Sequence, residues 1–109
     1  MSYARYKFNK AVQSLNEAGV RRREWLASDH AFRLLRMTME DVPTELKQEF
    51  QLFLHEMNPI LRASDTEICR MRAIRSVDEA TVGRIIGRIM HMHEVIELKT
   101  EKRQVNRQA

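Results

Sequence analysis

Proline and glycine are scarce in this chain of 109 residues: two Pro and three Gly. A fold of many tight turns draws on more of both, so composition disfavours an all-β architecture, and helix is favoured by the abundant Leu, Met, Ala, Glu and Arg. Cysteine is scarcer still. Cys69 stands alone, which rules out an internal disulfide and a cysteine-based zinc site within one chain. No apolar run approaches the ~20 residues of a membrane span. The start, Met1 to Phe8, carries charges where a signal peptide needs an apolar stretch. The expectation is a cytoplasmic protein with no membrane partner. There is no Gly-rich phosphate loop, no nucleophile elbow and no isolated pair of carboxylates, so a non-enzymatic protein without a cofactor is expected. Cys69 falls between Ile68 and Met71 on an expected core face, where a thiolate is disfavoured.

The formal charge of +4 hides a division. Residues 1–36 carry a net +5, residues 37–61 a net −4, and residues 62–109 a net +3. The molecule is therefore electrically polar, with an acidic middle able to pair with basic ends. Fourteen of the nineteen cations are Arg, which suits planar contacts to carboxylate or phosphate.

Hydrophobic spacing predicts one all-α domain over residues 1–109, an antiparallel bundle of four to five helices with a long C-terminal helix and a frayed polar tail over 103–109. Ala4, Phe8, Ala11, Val12, Leu15 and Ala18 mark a first helix from about Tyr3 to Ala18. Gly19 suits a left-handed stop, with Val20 expected to touch Leu15. A second helix spans either Val20 to Met39 or begins near Ser28, because Arg21, Arg22 and Arg23 suit a helix start poorly. Asp41 and Pro43 open a third helix that Asn58-Pro59 ends, leaving residues 59–63 as a connector. Ser64/Glu67 and Ser76/Glu79 have capping-box spacing and predict two further starts. The shorter of these helices offers Ile68, Cys69, Met71 and Ile74 to the core.

The longer, from Val77 to about Lys102, projects Val82, Ile85, Ile86, Ile89, Met90, Met92 and Ile96 within an arc of about 160°. That is wider than one partner helix needs. Gly83 and Gly87 beside it would let another backbone approach closely. Val82, Gly83, Ile85, Ile86, Gly87, Ile89, Met92 and Ile96 are therefore candidate contacts for self-association or for another protein, and the chain reads as a protein-interaction or regulatory module.

Two other chemistries compete with this reading. Arg21, Arg22 and Arg23 near Trp25, with Arg84 and Arg88, form a candidate nucleic-acid surface, although Trp25 shares the stripe of Phe32 and Leu35 and is expected in the core. Met90-His91-Met92-His93-Glu94 invites a metal reading, but His91 and His93 lie about 160° apart around a helix. A His93–Glu97 ion site would need distant ligands such as His30 and His55, so no metal is expected and a structural His93–Glu97 pair is preferred.

Overall fold

The computed structural model describes residues 3–63 and 66–108, with side chains placed through residue 100. The first helix, α1 (Tyr3–Ala18), buries Ala4, Phe8, Ala11, Val12 and Leu15, the face set by their spacing. It stops at Gly19, whose φ of +57° is open to glycine at no steric cost. Val20 does not reach back to Leu15. It is fully exposed, while Leu15 is only 4% exposed without it, so the core has already covered the surface that Val20 was expected to close.

Beyond this turn the chain bends twice. A single turn, α2 (Arg22–Trp25), is followed by α3 (Asp29–Leu35). Ser28 is extended at ψ 165° and its Oγ accepts the Ala31 N–H at 3.4 Å, so it caps α3 and breaks the continuous helix. Trp25 is buried and donates its indole N–H to Ser14 Oγ at 3.0 Å.

A 3₁₀ turn over Met39–Asp41 comes next. Asp41 turns its carboxylate back to the Thr38 N–H at 2.8 Å, so it does not cap the following helix as expected. Pro43 precedes a second 3₁₀ turn, Thr44–Leu46, which leads into α4 (Lys47–Glu56).

Residues 59–63 are not a connector. Asn58 and Pro59 occupy the first turn of α5 (Asn58–Ala63), where a missing N–H costs little, and Ile60 is fully buried. The Ser64 cap lies outside the described residues. Thr66 caps α6 (Glu67–Arg75), its Oγ1 accepting the Cys69 N–H at 3.4 Å. Ser76 retains helical backbone angles at the end of α6 and gives its hydroxyl hydrogen to Ala73 O at 2.7 Å. It therefore cannot also take the extended conformation of an N-cap. That place falls to Asp78, which accepts the Thr81 N–H at 3.1 Å ahead of α7 (Glu79–Gln108). The described backbone of α7 is helical to Gln108, and Ala109 lies outside the described residues.

The fold is all-α: no strand occurs among the described residues. Its core runs along α7, which packs against α1 and α4. Val82, Ile85, Ile86, Ile89, Met92 and Ile96 are all buried there, together with Phe8, Phe50, Phe53 and Met57.

The least expected core residue is charged. Arg70 is fully buried. Its Nε donates to Ala27 O at 2.9 Å and its Nη2 to Asp29 Oδ1 at 2.6 Å, and its guanidinium lies 4.5 Å from the centre of the Phe32 ring. These contacts tie α6 to the α2–α3 bend. Of the four core contacts expected on α6, Ile74 is buried and the half-buried Met71 packs against the core, while Cys69 is half-buried and Ile68 is 69% exposed. Truncating Arg70 removes a large buried side chain and leaves the Ala27 carbonyl without this donor. Arg70→Ala is expected to cost about 2–3 kcal/mol, and Asp29→Asn, which keeps an acceptor but removes a counter-charge of the buried guanidinium, a smaller but measurable amount. Urea unfolding of the two variants measures the difference.

Candidate interaction surfaces

The acidic middle segment and the C-terminal helix meet along one seam. Lys99 Nζ donates to Glu45 Oε2 at 2.8 Å, and His91 Nδ1 donates to Glu49 Oε1 at 2.6 Å. Glu56 receives Arg88 Nε at 2.6 Å and is also paired with Arg84. On the other side of α7, Arg5 Nε donates to Glu97 Oε1 at 3.1 Å, and Asn9 Oδ1 accepts from His93 Nε2 at 2.8 Å.

These pairings settle where several candidate residues sit. Arg84 and Arg88, candidates for a nucleic-acid surface, both pair with Glu56, and Arg88 Nη1 also lies 4.0 Å from Glu49 Oε2. Arg23 donates from Nη1 to Ile74 O at 2.7 Å and to Val77 O, and pairs through Nη2 with Glu79 at 2.5 Å, locking α2 against the α6–α7 junction. Only Arg21 and Arg22 of the triplet are exposed. His93 has a closer partner than Glu97, which lies 4.0 Å away. The described residues contain no group of three His, Cys, Asp or Glu side chains arranged to hold a metal ion.

The apolar arc of α7 is likewise occupied except at its edge, where Met90 is 38% exposed; its other six residues form this chain's own core. A surplus apolar face therefore no longer argues for self-association. Gly83 and Gly87 sit on the exposed side of the helix, and a Cβ added to either would meet nothing within 4 Å.

A different surface carries uncovered apolar area. On α6, Ile68, Met71, Arg72 and Arg75 follow the i, i+3, i+4, i+7 spacing of one helical face. With Glu67 they line a shallow depression. Arg72 and Arg75 are exposed, and neither has an ion-pair partner among the described residues. Sequence periodicity missed this surface because it placed Ile68 inside. Ile68 faces outward because Arg70, two positions on and therefore about 200° around the helix, is buried, which apolar periodicity does not signal.

No protein-family model, curated protein or solved structure matches the chain.

The seam and the glycines each make a stability test. Burial of Glu56 opposes its ionisation and is the largest single influence, but hydrogen bonds and charge from Arg88 and Arg84 outweigh it and lower the pKa. Glu97 is lowered chiefly by its hydrogen bond from Arg5. Carboxyls with depressed folded-state pKa values stabilise the fold above their unfolded values, about 4.3 for Glu. That stabilisation is lost as pH falls through the lower folded values. Glu56→Gln should therefore flatten the decline in stability below about pH 4.5, as read by thermal melts across the acid range. Separately, Gly83→Ala and Gly87→Ala should each stabilise by about 0.5–1 kcal/mol, since both positions are helical and unobstructed; denaturant midpoints measure this gain.

Proposed function

We propose that this chain is a non-enzymatic protein-interaction module that docks an acidic amphipathic segment of a partner protein on α6. The carrying observation is Ile68, 69% exposed in a face that also bears the exposed Arg72 and Arg75. An apolar centre flanked by guanidinium groups favours a partner with an aliphatic anchor and nearby carboxylates. The same reading takes the helices as an antiparallel bundle. Its support is the order of the contacts: Glu45, Glu49 and Glu56 meet Lys99, His91 and Arg84 in descending order, as Arg5 and Asn9 meet Glu97 and His93. Self-association through the long helix would have to use its exposed side, with Gly83, Gly87, Met90 and Leu98, because the rest of the apolar arc is already filled.

The test is a paired affinity capture from native cell extract with the intact chain and with Ile68→Asp. The substitution is at an exposed position and should change stability by no more than about 0.5 kcal/mol, so a circular dichroism melt provides the folding control. Retention of a specific protein by the intact chain and its loss from Ile68→Asp supports the reading. Equal retention by both overturns it.

A further inference from the structure

A second surface, sharing no residue with the α6 face, has a different chemistry. Tyr6, Lys7, Lys10 and Ala11 of α1 and His30 and Arg33 of α3 line a cleft between the two helices. No carboxylate is among those lining groups. Lys7, Lys10 and Arg33 have no ion-pair partner among the described residues, in contrast to the cations of the α4–α7 seam. The nearest acid in sequence, Asp29, is engaged by Arg70.

Aromatic rings accompany this charge. Tyr3 and Tyr6 are 52% and 48% exposed and stand about 4.5 Å apart along the α1 axis, from a rise of about 1.5 Å per residue. Lys7 Nζ lies 5.3 Å from the centre of the Tyr3 ring, and Lys10 Nζ lies 5.9 Å from that of Tyr6. Each tyrosine is thereby coupled to an ammonium group. A phosphate alone would need only the cations. The paired, half-exposed rings add stacking surface beside them, the combination that holds single-stranded nucleic acid without sequence readout.

We propose that the α1–α3 cleft binds single-stranded nucleic acid, with Lys7, Lys10 and Arg33 on phosphodiester groups and Tyr6 stacked on a base. The probe is a fluorescein-labelled oligothymidylate of about 12 nucleotides, titrated with the full chain at several salt concentrations. Three phosphate contacts predict a slope of log K against log salt of about −2, at about 0.7 per contact. The double variant Lys10→Gln/Arg33→Gln should weaken binding at least about tenfold and flatten that slope to about −0.7. Tyr6→Ala should weaken it about tenfold with the slope unchanged. Arg72→Gln, on α6, should bind as the intact chain does. The altered side chains are exposed, and circular dichroism verifies each fold.

Failure of the intact chain to bind at low salt overturns the proposal, as does an affinity unchanged in the double variant or in Tyr6→Ala. Two competing ligands complete the test. Inorganic phosphate should displace the oligonucleotide no better than chloride at equal ionic strength; full displacement by phosphate alone overturns the role of stacking. Binding to phosphatidylglycerol vesicles with no binding to the oligonucleotide overturns the choice of polymer. Loss of the α6 interaction in Ile68→Asp leaves this binding intact, so the two readings fail separately.

Discussion

A guanidinium with no exposure sets the rotation of α6. Burying Arg70 between the Ala27 carbonyl, Asp29 and Phe32 leaves its helix little freedom to turn, and Ile74, one turn on, follows it inward. Residues two positions from Arg70 lie about 200° around the helix, so Ile68 and Arg72 must point outward. The apolar, basic face of α6 is therefore a geometric consequence of the buried charge. Burial of an ion is normally expensive, but Asp29 remains 72% exposed and keeps much of its hydration while neutralising Arg70. The interaction fixes orientation as much as it stabilises.

The other organising contact is the wedge of α7 between α1 and α4. Its apolar side fills the core, and the flanks carry ion pairs to both neighbours. Glu56 holds two arginines, and Glu49 lies 4.0 Å from one of them, Arg88, so two carboxylates face two guanidinium groups at that end of the seam. Pairing of this sort at a partly exposed seam contributes modestly to stability. It also discriminates against packing in which α4 is displaced along α7, since each shift would separate several charge pairs.

Local chemistry made much of this legible in advance. The α1 range, the left-handed Gly19 and the break at Ser28 follow from residues acting on their immediate neighbours. Other features depended on competition between neighbours. Ser76 and Asp78 both suit a cap, and the winner was decided by how far α6 continues. Pro59 suits a helix end or a first turn equally, and the buried Ile60 favours the second. Arg70 was illegible because apolar periodicity leaves charged residues out of the core. The fate of Arg23, Arg84 and Arg88 required tertiary structure, for a cation's availability depends on which carboxylates and carbonyls the fold brings to it. The charge division did foreshadow a basic helix against an acidic one, although not which side chains would remain outside it.

The turn at Gly19 and Val20 also separates two kinds of continuity. Val20 buries nothing, while α1 is fastened by Ala4, Phe8, Ala11, Val12 and Leu15 and by polar links from Arg5, Asn9 and Ser14. The peptide link therefore supplies mainly proximity, holding α1 at a high effective concentration near the groove it fills. The docking of α1 is thus in effect an intramolecular binding reaction, its strength set by that buried face and those polar links rather than by the turn.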